Sequence, residues 1–354
     1  MRLVVVLALA VLSAACGKRD VRDLDETPWE PATLENGFHA VLPPLCTAAP
    51  RGHRPEPTPP VSVREDIITK RPVDHVATDA SGVYWAEDRV IHRAATADPP
   101  SASRWPDHWV DGAVATSETR VLDLAVTDGR IYWVSGDADR RILSYVEKRD
   151  PARVVHGFSE IVTVPMSKLV ARGTSLFYAL HDASYEVEDG GAVWTLPAGG
   201  ASTVPVIAVD DHAVYTYSRW SGLTRMPRRQ PWQMPRTIAS AMDPTDLVTD
   251  GTVVYWLERG ERSDGRLRRA PVSGGTAEDV YGDIRYASGL TMNGGEVWIS
   301  TREGLVRYDP TCYHAPAVLA GTAELRGRPA PFGDALAVAK WSEEQPRVGL
   351  VRSE

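Results

Sequence analysis

Between residues 76 and 338 one short phrase recurs: an apolar run, a turn on Asp, Asn or Gly, then a second run carrying adjacent large residues, usually aromatic. It reads Val76-Ala77-Thr78-Asp79…Val83-Tyr84-Trp85, then Leu124-Ala125-Val126-Thr127-Asp128-Gly129-Arg130-Ile131-Tyr132-Trp133. It returns as Leu169-Val170-Ala171-Arg172-Gly173…Leu176-Phe177-Tyr178, Ile207-Ala208-Val209-Asp210…Val214-Tyr215 and Leu247-Val248-Thr249-Asp250-Gly251…Val254-Tyr255-Trp256. Leu290-Thr291-Met292-Asn293-Gly294…Val297-Trp298 is a sixth copy, and Gly333-Asp334-Ala335-Leu336-Ala337-Val338 a faint seventh. Aligned on the first aromatic position (84, 132, 177, 215, 255, 298 and 337), the copies are 48, 45, 38, 40, 43 and 39 residues apart.

Asp-Gly or Asn-Gly between alternating apolar runs is a strong hairpin signal, because both turn residues must take positive φ. Each period then continues into a second strand pair, as in Gly191–Leu196 and Gly265–Val272. Four strands in a period near forty describe the blade of a β-propeller. A lone blade exposes apolar area on both faces and buries it only against neighbours, so the ring must close. The expected fold is therefore all-β: a single propeller over residues 61–354 with seven four-stranded blades, six or eight remaining open because the last copy is faint. Val61-Ser62-Val63-Arg64-Glu65-Asp66-Ile67-Ile68 is expected to supply the outer strand that the final blade, ending at Gly349-Leu350-Val351-Arg352, lacks. The aromatic pairs are read as packing between blades. The repeats resemble those of bacterial propeller lipoproteins and, more distantly, propellers of the YWTD and NHL type. That resemblance implies fold far more than function, since propellers host scaffolds and enzymes alike.

The N-terminus carries a different message. Arg2, the uncharged apolar run Leu3 to Leu12 and the small residues Ser13, Ala14 and Ala15 before Cys16 make a signal peptide. Its apolar run of about ten residues is half the roughly twenty that span a bilayer. Leu12-Ser13-Ala14-Ala15-Cys16 resembles the lipobox of bacterial lipoproteins, departing from it in having Ser13 where Leu is usual. The resemblance implies cleavage after Ala15 and acyl chains, palmitate among them, on Cys16; two or three chains hold a protein durably where one binds marginally. It also implies the cell envelope, and Gly17 after the cysteine leans towards the outer membrane, facing periplasm or cell surface. Residues 1–15 are thus read as signal peptide and residues 16–60, with Pro43, Pro44, Pro55, Pro57, Pro59 and Pro60, as an extended tether.

Removing residues 1–15 takes one positive charge, Arg2, from a chain of net charge −8, leaving −9. A mildly acidic body argues against nucleic acid as partner, which requires basic patches. With Cys16 lipidated, Cys46 and Cys312 remain, either as a disulfide suited to an oxidising compartment or as two unpaired thiols.

Chemistry is harder to read. Asp79, Asp128, Asp210, Asp250 and Asn293 stand at inner hairpin turns, where backbone geometry alone explains them. The opposite face, built by second-to-third-strand turns and blade-to-blade links, is expected to carry an acidic rim including Glu87, Asp88, Asp137, Asp139, His181, Asp182, Glu258, Glu261, Arg302, Glu303, Glu343 and Glu344. The longest departure from the repeat, Asp98 to Arg120, contains Trp105, His108 and Trp109, which suit contact with a ligand or partner. The nine histidines form no His-Glu-x-x-His helix, and neither a Gly-x-Ser-x-Gly turn nor a phosphate loop is present. The expectation is a membrane-anchored propeller with no cofactor and no metal, binding a protein or an envelope polymer. The alternative is a periplasmic lyase or metal-dependent hydrolase with its site at the central channel.

Overall fold

The computed structural model describes residues 62–69, 71–95, 110–137, 141–160, 168–180, 183–197, 206–230, 233–259, 264–311, 317–319, 325–340 and 347–352. Among them 28 strands form seven antiparallel four-stranded sheets. Blade 1 holds β2 (Val76–Asp79), β3 (Gly82–Glu87), β4 (Val90–Ala95) and β5 (Val110–Thr116), and blade 2 holds β6 (Val121–Val126), β7 (Arg130–Gly136), β8 (Arg141–Glu147) and β9 (Asp150–Glu160). Blade 3 is β10 (Val170–Arg172), β11 (Ser175–Ala179), β12 (Ala183–Glu188) and β13 (Val193–Pro197); blade 4 is β14 (Ile207–Val209), β15 (Ala213–Ser218), β16 (Gly222–Pro227) and β17 (Arg236–Ala239). Blade 5 follows as β18 (Pro244–Thr249), β19 (Val253–Arg259), β20 (Asp264–Pro271) and β21 (Glu278–Arg285), and blade 6 as β22 (Gly289–Asn293), β23 (Glu296–Thr301), β24 (Gly304–Tyr308) and β25 (Ala317–Leu319). Blade 7 takes β26 (Leu325–Phe332), β27 (Ala335–Lys340) and β28 (Arg347–Arg352) from the C-terminus and β1 (Ser62–Ile68) from the N-terminal side. The β1–β28 ladder pairs Ser62 with Arg352 and Ile68 with Arg347, so the ring closes as the sequence led one to expect, with seven blades. The second half of the long insertion is itself a blade strand, β5.

The adjacent large residues of each repeat divide between two seams. Successive strand residues point to opposite faces, so on β3 Tyr84 packs toward blade 2 while Trp85 packs against Phe332, Ala337 and Leu350 of blade 7. The same split sends Tyr132 forward and Trp133 back, Phe177 forward and Tyr178 back, and Tyr255 forward and Trp256 back. Seven apolar clusters result, one per seam. Burying each large side chain contributes roughly 1.5–3 kcal/mol, so the seams, not the isolated sheets, hold the ring. The faint seventh copy is explained by one of them: Ala337 stands at the aromatic position because Trp85 and Phe332 already fill that seam.

All seven inner strands run the same way and line the axis, from a link face, where blade-to-blade links and second-to-third-strand turns lie, to a turn face bearing the inner hairpin turns. On the turn face the recurring aspartate is structural. Asp210 Oδ1 accepts from the His212 and Ala213 amides, each at 2.7 Å, while Oδ2 accepts the Tyr215 hydroxyl at 2.6 Å. Asp79 does likewise for the Ser81 amide at 2.7 Å and the Tyr84 hydroxyl at 2.9 Å. In both, aspartate precedes tyrosine by five residues. Asp128 stands only four before Tyr132, and Asp189, from the outer hairpin of blade 3, takes its place, accepting from the Gly129 amide at 2.8 Å and the Tyr132 hydroxyl at 3.2 Å.

Candidate functional site

Strand registers align one position across all blades: the residue just before the first apolar position of each inner strand. It is occupied by His75, Asp123, Lys168, Val206, Asp246, Gly289 and Arg328, read from the pairings of Val76 with Trp85, Leu124 with Trp133, Val170 with Phe177, Ile207 with Thr216, Leu247 with Trp256, Leu290 with Ile299 and Ala330 with Ala337. Five of the seven are ionisable, and the inner strands bring them to the link-face mouth of the channel.

Asp246 is the hub. Its carboxylate accepts from its neighbour's amide, Leu247 at 3.0 Å, and from the Leu290 amide of the next blade at 2.8 Å. Lys168 of blade 3 reaches it at 3.0 Å, and Arg328 of blade 7 bonds both oxygens. These partners lie two blades away on either side, and the intervening positions allow the reach. Val206 is folded into the seam between blades 4 and 5, and Gly289 has no side chain. A Cβ on Gly289 would sit 2.5 Å from the Arg328 Cα, so that glycine lets β26 approach. Burial alone would raise the Asp246 pKa, but the Arg328 and Lys168 charges and the hydrogen bonds bring it down to about 2.

Asp123 repeats the device on blade 2. It accepts from the Leu124 amide at 2.9 Å and the Leu169 amide of blade 3 at 2.5 Å, with His75 Nδ1 3.5 Å from Oδ1. Burial pushes its pKa up; the His75 contact and the two amides outweigh that and hold it below the usual carboxylate range. Between blades 7, 1, 2 and 3 the mouth opens into a pocket of about 400 Å³. Its charged lining is Asp74, His75, Asp123, Arg141, Lys168 and Arg328, and its apolar wall includes Leu122, Leu124, Val134 and Leu169. A cavity of about 320 Å³, lined by all seven inner strands, continues along the axis. Among the described residues no three His, Cys, Asp or Glu side chains gather to hold a metal ion.

The structure redistributes the expected acidic rim. Glu87 and Glu258 are buried inside their blades: Glu87 accepts the Trp85 indole N–H at 3.0 Å, and Glu258 accepts that of Trp256 at 2.9 Å together with Arg266 and Arg268. In Trp-x-Glu on one strand the carboxylate folds back onto the indole two residues earlier, and Glu258 also accepts the Met242 amide of the adjoining link at 2.9 Å, so both acids are buried rather than displayed on the rim. Asp88 pairs with Arg71 at 3.0 Å, and Arg302 lies over the Tyr286 ring. Asp137 and Glu303 lie on this face, as expected. Asp139, His181, Asp182, Glu261, Glu343 and Glu344 lie outside the described residues, as do Cys16, Cys46, Cys312, Trp105, His108 and Trp109. The mouth ring itself escaped sequence reading. Its signal was available in the column of residues preceding each first apolar position, but a bulge between Arg326 and Ala330 hides Arg328 from a linear alignment.

No protein-family model and no curated protein matches the chain by sequence. Solved structures do match by fold. Virginiamycin B lyase from Staphylococcus aureus superposes with a TM-score of 0.62 at 10% identity, over 83% of this chain and 99% of that one. PorZ, a surface component of the type IX secretion system of Porphyromonas gingivalis, matches with a TM-score of 0.54 at 11% identity, over 80% of this chain and 39% of that one. The WD40 propeller of Doa1 matches with a TM-score of 0.56 at 11% identity, over 82% and 95%. At such identities the likeness is one of fold: the chain is a β-propeller.

Proposed function

We propose that this chain is an exported propeller, fixed to the cell envelope through a lipid on Cys16, that binds a protein or an envelope polymer on its link face. The observation that carries the binding reading is the company the mouth pocket keeps. Three large side chains are exposed on that same face: Trp220, on the β15–β16 turn, is 82% exposed, and Met242 and Tyr286, on blade-to-blade links, 70% and 54%. Two link residues there, Asp243 and Tyr286, hold positive φ (41° and 54°) without being glycine, a strain of the kind that persists at ligand clamps. The lipobox-like Cys16 supports the anchor. Two measurements test the reading in the native host. Metabolic palmitate labelling should mark the chain and disappear in Cys16→Ser, and a photo-crosslinking amino acid at position 220 should capture one discrete envelope partner. An unlabelled chain removes the anchor, and the absence of any crosslink removes the partner.

A second reading is supported by His75 and Asp123, 3.5 Å apart on the wall of the 400 Å³ pocket. An imidazole oriented by a carboxylate is the equipment of a general base, and one fold neighbour is a lyase, solved in an inactivated form with quinupristin. In this reading His75 would draw a proton from a substrate held over the mouth. Chromatography with tandem mass spectrometry of quinupristin incubated with the chain tests its narrowest form, since an elimination that opens a ring leaves the mass unchanged; unchanged retention and fragmentation rule that form out.

A further inference from the structure

The mouth pocket contains one cation more than its internal partners use. Asp246 takes Lys168 and Arg328; Asp123 takes His75 and two backbone amides; Asp74 accepts from Arg120 at 2.7 Å. Arg141, the first residue of β8, lines the same pocket, and its Nε is buried with no hydrogen-bond partner among the described residues. A guanidinium nitrogen shut away from water and left unbonded is costly. From the pocket side, what can complete the guanidinium is an acceptor reaching its outer nitrogens, and the fork of Arg matches a two-oxygen acceptor best. Beside it Leu122 and Val134 of the same blade present hydrocarbon.

We infer that the mouth pocket binds a carboxylate carried on a short apolar stem, with Arg141 as its direct ligand and the Leu122–Val134 wall holding the stem. A peptide C-terminus ending in an aliphatic residue and a free branched-chain acid share that chemistry. The pocket volume suits such a group, since small-molecule sites begin at about 300 Å³. The inference deepens the binding reading of this face and does not depend on the anchor.

Calorimetric titration of the full chain tests it, using N-acetylleucine to represent a peptide terminus, 4-methylvalerate to represent a free acid, and N-acetylleucinamide and inorganic phosphate as controls. At least one of the two acids should bind saturably, the amide at least tenfold more weakly, and Arg141→Gln should weaken the acid at least tenfold while Arg141→Lys keeps part of the affinity. If Arg141→Gln fails to fold, Leu122→Glu serves instead, because a resident carboxylate beside Arg141 should displace the added one. Tighter binding of N-acetylleucine assigns the site to peptide termini, and tighter binding of 4-methylvalerate to free acids. Equal binding of acid and amide, binding of phosphate alone, an unchanged affinity in the Arg141 or Leu122 variant, or no binding at all overturns the inference. A crosslinked partner at position 220 that Arg141→Gln leaves untouched sinks the pocket assignment but not the partner, whereas acid binding without a crosslink does the reverse.

Discussion

The two faces of the ring solve the same problem in different ways. On the turn face, polar side chains are used within their own hairpin or on the neighbouring blade. Asp79 and Asp210 fasten their own turns, Lys148 of blade 2 bonds Asp79 of blade 1, Arg228 of blade 4 bonds Glu186 of blade 3, and Asn293 of blade 6 donates to the Ala335 carbonyl of blade 7. On the link face, Asp246 gathers charges from blades 3 and 7 across the mouth, and the turns and links around it expose Trp220, Met242 and Tyr286. One face is stitched seam by seam. The other is cross-braced across the mouth and opens between the braces into the pocket.

Breaking the brace should therefore have the largest effect. Asp246→Ala leaves Lys168 and Arg328 without their counter-charge and the Leu247 and Leu290 amides without an acceptor. Removing one member of a buried ion pair costs about 3–5 kcal/mol. Urea denaturation should show a loss of that order, whereas Arg172→Ala on the turn face, which opens the exposed pair between Arg172 of blade 3 and Asp211 of blade 4, should cost about 1 kcal/mol or less. Equal losses from the two substitutions would erase the distinction between brace and stitch.

What the sequence revealed follows the same division. The turn face was legible because its chemistry is local: Asp five residues before Tyr is a backbone device written in consecutive letters, and adjacent large residues pointing to opposite seams follow from strand period alone. Closure was legible too, since the last blade visibly lacked a strand that residues 62–68 matched. The mouth was not. Lys168, Asp246 and Arg328 are separated by 78 and 82 residues, and their meeting depends on Val206 and Gly289 being apolar or absent between them. Glu87 and Glu258 misled for the opposite reason, their function being set by an indole two residues away rather than by the rim they seemed to edge.

Acid and alkali should separate the faces again. Asp246, with a folded pKa of about 2 against roughly 3.9 unfolded, adds stability above pH 4 that disappears as pH falls through 2, on the order of 2–3 kcal/mol. Asp79, Asp123 and Glu258 are also depressed, burial being outweighed in each by hydrogen bonds and nearby positive charge, so the acid limb draws on both faces. The alkaline limb belongs to the turn face. Burial, with the neighbouring carboxylate, raises the phenols of Tyr84 and Tyr215 above their ordinary value, and burial with Asp189, partly offset by Arg130, pushes Tyr132 up to about 12. A raised phenol stabilises the fold fully below pH 10, and for Tyr132 the contribution is lost as pH rises through 12. Tyr215→Phe should cost about 1–2 kcal/mol at neutral pH by removing the bond to Asp210 and should flatten the alkaline decline while leaving the acid limb unchanged. An alkaline decline as steep as that of the unchanged chain would take Tyr215 out of it.

The smallest effect on stability should come from the residues most exposed to a partner. Trp220 projects from the β15–β16 turn and Met242 from a blade-to-blade link of the open face, and neither belongs to a seam cluster. Replacing each with Ser removes no buried contact of the ring, so the urea midpoint should stay within about 0.5 kcal/mol of the unchanged chain. Met242→Ser should also abolish the crosslink formed from position 220, because exposed thioether surface is what a bound partner would cover. A large loss of stability would show these side chains to be structural and would return the link face to the same category as the turn face. Unchanged stability with a lost partner would instead locate recognition on the links, apart from the brace that holds them.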